Sequence, residues 1–236
     1  MGLNKSRIGF ISATAAVLTL LLLSAFFTNK AVNVYSENEQ LSNRTCVIID
    51  AGHGGVDGGA VSCTGVFESQ INLEISLRLN DLMHLLGIHT YMIRTEDISI
   101  YTKGESIAAK KVSDLKQRVK IVNETPNALL ISIHQNYFED SRYSGAQVFY
   151  NKDATLARQI QSALVQALNP GSRRKAKKAD GVYLMQNVTC PSALIECGFL
   201  SNATEESLLR DPRYQKRLCC VIGAVVSCYI HNNGVA

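Results

Sequence analysis

Cys46-Val47-Ile48-Ile49-Asp50-Ala51-Gly52-His53-Gly54-Gly55 is a short apolar run that ends in an acid and opens into glycines around a histidine. A continuous apolar run of this length, bounded by turn residues, reads as a strand buried on both faces of a sheet. The pattern that follows decides the fold. Short β-branched runs alternate with longer segments of 3.6-residue period, which is how an α/β sheet with helices on its faces is written.

The strand is predicted over Cys46 to Asp50. Ser69 to Leu86 reads as a helix capped by Ser69, with Ile71, Ile75, Leu79, Leu82 and Leu86 on its inner stripe and Gly87 at its end. His89 to Arg94 reads as a strand, Asp114 to Glu124 as a helix and Ala128 to Ile133 as a further apolar strand. Gly145 to Tyr150 is expected as an edge strand, Asp153 to Leu168 as a helix, Val182 to Gln186 as a short strand and Ser192 to Glu196 as a buried one. Arg213 to Ile230 closes the chain as a helix. The expected fold is one α/β domain over 46–232, a mixed and mostly parallel sheet with helices on both faces.

The N-terminus is different material. After Lys5 and Arg7, Ile8 to Phe27 carries no charge for about 20 residues, which as a helix would span the ~30 Å hydrocarbon layer. Positive charge on its N-terminal side predicts a cytoplasmic N-terminus and an exported domain. Asn29-Lys30-Ala31 does not supply the small residues of a cleavage site, so residues 1–30 read as an uncleaved membrane anchor rather than a removed signal peptide. Residues 31–45 read as a polar linker. The protein is therefore expected on the outer face of the cytoplasmic membrane.

The 236 residues are 46% hydrophobic and 19% charged, ample for one core, and the net charge of +4 is modest. One concentration stands out, Arg173-Arg174-Lys175-Ala176-Lys177-Lys178, read either as a solvated loop or as a contact for an anionic polymer such as cell-wall carboxylates. An exported chain without aromatic interleaving is not expected to bind nucleic acid. The seven cysteines form no CxxC pair, and Cys46, Cys219 and Cys228 sit in apolar runs, so no disulfide framework is assigned.

Ligands of open α/β sheets gather at the carboxyl ends of the strands. His53, His134 and Glu196 fall at or just past such ends, and Glu68 lies beside the start of a helix. Two imidazoles and a carboxylate make the ligand set of a catalytic zinc that keeps one position open, and a fourth group can move protons. Asp50 is expected to orient His53, Asp57 to cap its loop, and Arg118 and Asn123 to brace the rim. The rival reading is a Cys-His hydrolase built on Cys197, which leaves both glutamates without a role.

Together, Asp50-Ala51-Gly52-His53-Gly54-Gly55, Glu68, Ser132-Ile133-His134-Gln135-Asn136 and Glu196-Cys197-Gly198-Phe199-Leu200-Ser201-Asn202 resemble the zinc-dependent N-acetylmuramoyl-L-alanine amidases over about residues 46–231. The resemblance implies one Zn2+ held by His53, Glu68 and His134, and Glu196 as the catalytic glutamate. It implies peptidoglycan as substrate, cleaved between N-acetylmuramic acid and the L-alanine of the stem peptide. Ala51, the segment Lys110 to Arg118 and the N-terminal anchor are similar to the spore-cortex members, which prepare muramic-δ-lactam; an accessory activating protein is an expected partner. A vegetative amidase for daughter-cell separation, or a peptidoglycan-binding domain without activity, are the alternatives.

Overall fold

The computed structural model describes residues 44–233. The apolar segment and nearly all of the expected linker lie outside these residues. Among the described residues no helix is long and apolar enough to cross a membrane.

Among the described residues six strands and six helices follow one another in the order β1 Cys46–Ala51, α1 Glu68–Leu85, β2 Thr90–Met92, α2 Ile107–Glu124, β3 Ala128–Asn136, β4 Gln147–Tyr150, α3 Thr155–Leu168, β5 Lys177–Lys178, α4 Tyr183–Asn187, β6 Ser192–Phe199, α5 Ala203–Arg210 and α6 Pro212–Asn232. The strands form one sheet in the order β2-β1-β3-β6-β4-β5. β2, β1, β3 and β6 run parallel, β4 is antiparallel to β6, and β5 is parallel to β4. The mixed, mostly parallel sheet expected from the sequence is thus present.

Alternation along the strands sorts the core into two layers. Val47, Ile49, Leu129, Ile131, Ile133, Ala193 and Ile195 meet Ile71, Ile75 and Leu79 of α1, Ile160 and Leu164 of α3, and Leu218, Ile222 and Val226 of α6. On the other face Ile48, Leu130 and Leu194 meet Val122 of α2 with Leu184 and Met185 of α4. Asp50, Ser132, His134 and Glu196 continue this second face. The thinner α2–α4 layer leaves their end of the sheet open to a cleft.

Several local expectations are corrected. Val182 to Gln186 is not a strand: Tyr183–Asn187 forms a short helix that caps the second core, because Leu184 and Met185 need a helical spacing to reach the same pocket of apolar side chains. β4 is not the edge; the two-residue β5, formed inside the basic run, pairs outside it. β3 and β6 extend to Asn136 and Phe199, so His134 and Glu196 lie within strands, paired with each other in register. α1 starts at Glu68 after an uncapped Phe67, so Ser69 is not its cap. α2 begins seven residues earlier than expected, at Ile107, where the Ser106 side chain accepts from the Ala109 amide. α5, capped by Asn202 on the Thr204 and Glu205 amides, was not expected.

Candidate metal centre

The loop after β1 brings His53 to the rim. His53 has φ 60°, a left-handed conformation that costs a non-glycine residue about 1 kcal/mol or more, and two buried arginines hold it there. Arg94 donates to the carbonyls of Ala51 (2.8 Å), Gly52 (3.0 Å) and Ser69 (2.8 Å). Arg118 donates to the carbonyls of Ala51 (2.9 Å) and His53 (2.7 Å), and pairs with Asp114 (2.6 Å) and Asp50. The two guanidiniums clamp the turn from both sides. Burial lowers the pKa of Arg94, while Asp50 and Asp114 outweigh burial at Arg118 and raise it.

Asp50 does not orient His53. Its carboxylate accepts from Ser132 Oγ (2.6 Å) and Arg118, and these partners with the nearby His134 overcome burial and keep it below its usual value. Asp57 does the orienting, with Oδ2 at 2.9 Å from His53 Nδ1, while its Oδ1 caps Gly59 N and meets Lys111 Nζ at 2.7 Å. Asn123 is not at the rim either. It bonds Asn187 O and Thr189 N, tying α2 to the approach of β6.

Glu68, at the first turn of α1, sits between the two imidazoles. Its Oε2 is 3.2 Å from His53 Nε2 and its Oε1 is 3.0 Å from His134 Nδ1, and one donor atom from each residue falls within 4.8 Å of the others. Backbone amides of Ala60 and Gln135 and the Asn72 side chain also donate to Glu68. Burial opposes ionisation of this carboxyl, but the two histidines prevail and hold it ionised far below the usual range. Against the cost of burial, Asp57 and Glu68 raise His53 to about 9. The cluster is a strained knot of mutual charge in which a cation can replace the shared protons.

Two glycines make room. A Cβ on Gly52 would lie 2.2 Å from His134 Cε1 and Nε2, and one on Gly59 would lie 2.6 Å from Glu68 Oε2. Neither position accepts a side chain without moving a site residue.

Glu196 faces the cluster from β6, beside His134. The residue is half-buried, its Oε2 is enclosed without a hydrogen-bond partner, and burial, with the nearby Glu68 charge adding and the histidines opposing, pushes its carboxyl up to about 7. His53, His134 and Glu196 line a cleft of about 320 Å3 closed on its far side by Leu115, Tyr183 and Leu184. The structure therefore brings all four predicted residues together. Cys197 points away into the α1–α3–α6 core, its thiol raised by burial, so it cannot act in this cleft. Arg94 and Gln135 were not singled out in the sequence; the one hint of Arg94 was its place as the last residue of the run His89 to Arg94.

The donor set fits a metal. A tetrahedral site with bonds of ~2.0–2.1 Å has ligand atoms roughly 3.3 Å apart, close to the 3.0 and 3.2 Å at Glu68. The Asp57–His53 contact is the carboxylate support that ligating histidines commonly have. The partnerless Glu196 oxygen adds a buried acceptor aimed at the same space.

Residues 47–226 match the Amidase_3 family, N-acetylmuramoyl-L-alanine amidase. The chain belongs to this family. It is 39% identical over 193 residues to the germination-specific N-acetylmuramoyl-L-alanine amidase of Bacillus subtilis, covering 80% of this chain and 81% of that one. The CwlD amidase of Clostridioides difficile, solved in complex with the GerS lipoprotein, superposes with a TM-score of 0.76 at 36% identity, over 80% of this chain and all of that one. A second N-acetylmuramoyl-L-alanine amidase, from Clostridium difficile 630, superposes with a TM-score of 0.69 at 30% identity, over 81% of this chain and all of that one. The enzyme class is that of the N-acetylmuramoyl-L-alanine amidases, hydrolases of peptidoglycan.

Proposed function

We propose that this amidase is a zinc enzyme of the spore cortex, with His53, Glu68 and His134 as metal ligands and Glu196 as the proton-transfer residue. The observation that carries the chemical part is the enclosed, partnerless Glu196 oxygen facing a His-Glu-His set. Zinc bound there supplies an acidified water and a Lewis acid for the amide carbonyl. Glu196 takes the proton from the attacking water as the new C–O bond forms. It then delivers that proton to the alanine nitrogen, so that the C–N bond breaks with a neutral amine leaving. A carboxyl pushed up to about 7 exchanges protons readily in both directions near neutral pH. Asp57 keeps the His53 ring turned inward, and Arg94 and Arg118 keep its backbone in place.

The cortex role is supported by the germination-specific relative and the CwlD neighbour. By the same analogy an accessory lipoprotein is the partner proposed for this chain. The uncharged Ile8 to Phe27 segment supports a tether on the outer face of the cytoplasmic membrane. A chelator should abolish release of stem peptides from denuded peptidoglycan and added zinc should restore it, and His134→Ala should lose bound zinc. Full activity in the chelated enzyme removes the metal from the reading.

A further inference from the structure

The basic run that the catalytic cleft does not use forms a second site on the same rim. Because β4 runs antiparallel to β6, its start at Gly145–Gln147 lies at the end of the sheet where His134 and Glu196 stand, and Gln147 is paired with Glu196. Beside it opens a groove of about 870 Å3 lined by Tyr143, Ser172, Arg173, Arg174, Lys175 and Lys177. Among the described residues none of the five cations from Arg173 to Lys178 has an ion-pair partner.

Arg174 is the organised member. Its guanidinium lies over the Phe199 ring at 5.0 Å, its Nε donates to Ser144 O at 2.9 Å, and only a long 3.4 Å contact to Gln147 Oε1 engages Nη1. Among the described residues Nη2 has no acceptor, so a guanidinium edge is left to the groove. Phe199 in turn stacks on Tyr143, which closes the rim side. Glu205, the acid whose charge Arg174 feels, is occupied by the Gly145 and Phe199 amides.

From this, and resting on the amidase reading, we infer that the groove binds free carboxylates of the stem peptide, with Arg174 as the residue that selects them. Phe199 is three residues along β6 from Glu196, roughly 10 Å at ~3.3 Å per residue. An extended peptide covers that span in about three residues. Those three residues are the scissile alanine and the two after it, so the selected carboxylates lie on the second and third residues of the stem, and the enzyme discriminates acidic from amidated stems. A planar guanidinium with a free edge suits a carboxylate, and Lys175 and Lys177 add charge without geometry.

The test uses the full chain and two synthetic muropeptides, one with its second- and third-residue carboxylates free and one with both as carboxamides. The unaltered enzyme should prefer the acid by about tenfold or more in kcat/KM, the loss of one charge-assisted hydrogen bond, with the difference in KM. Arg174→Gln should reduce that preference to near unity, and so should Lys177→Gln in part. Lys177 is exposed and bonds nothing through its side chain, so it serves even if Arg174→Gln fails to fold. Equal use of both muropeptides by the unaltered enzyme overturns the proposal and leaves the amidase reading standing. If instead only binding of an isolated phosphodiester wall polymer depends on Arg174, the groove belongs to that polymer and the proposal fails. Cleavage of neither muropeptide overturns the amidase reading itself.

Discussion

Gly52→Ala tests how the turn after β1 builds the site. The new Cβ would stand 2.2 Å from His134 Cε1 and Nε2 and 2.7 Å from Cδ2. Ordinary carbon contact begins near ~3.5 Å, so the ring must retreat by more than about 1 Å. The Gly52 carbonyl cannot yield easily, since Arg94 and Asn72 both donate to it. A ligand displaced by about 1 Å typically costs on the order of 10²-fold in rate, and disturbed ligand support about 10–100-fold in metal affinity. Gly87→Ala is the control. Gly87 has φ +71° and nothing within 4 Å of the added Cβ, so it costs about 1 kcal/mol of backbone strain far from the site. Zinc per chain, thermal unfolding and stem-peptide release would be measured for both. The expected result is a destabilised but active Gly87→Ala and a folded, metal-poor, slow Gly52→Ala. A Gly52→Ala enzyme with full zinc and near-normal turnover refutes the argument.

Other outcomes follow from the buried charges. Arg118→Met leaves Asp50 buried without its cation and should cost about 3–5 kcal/mol in denaturant unfolding; a change below about 1 kcal/mol would show that the clamp is unimportant. Asp50 is held below the usual carboxylate value, so its contribution is present above about pH 4 and is lost as pH falls through the lowered value. Acid unfolding of Asp50→Asn should accordingly be flatter across that window than that of the unaltered protein. His53 is raised to about 9 in the metal-free site, so zinc must displace its proton. Zinc affinity measured by competition with a chelator should weaken by up to about tenfold per pH unit below that value, and a pH-independent affinity would contradict the ligand role of His53.

The fold was legible where one element's own pattern decides it. Val47 to Ile49, Leu129 to Ile133 and Ala193 to Ile195 are apolar on both faces, as only central strands can be. The site was legible for the same reason, because strands ending in polar residues mark the rim. What stayed hidden depends on distant partners. Val182 to Gln186 reads as a short strand, yet Tyr183–Asn187 is helical and packs Leu184 and Met185 into one cluster with Val122. Lys177–Lys178 form an edge strand that no apolar pattern announces. Asp50 was paired with His53 by nearness in sequence, whereas Arg118 reaches it from 68 residues away. The carboxylate that does orient His53, Asp57, lies four residues along the chain and also caps the loop as expected.

The central claim is that three residues hold the metal and a fourth moves the proton, and Glu196→Gln separates these roles. The substitution keeps size and packing and removes the base. Zinc content, melting temperature and rate of stem-peptide release, measured on one preparation of each protein, give the answer. The account predicts unchanged zinc, an intact fold and turnover lower by at least about 10²-fold. Loss of zinc would make Glu196 a ligand and leave Glu68 without its assigned role, and near-normal turnover with zinc retained would contradict the mechanism.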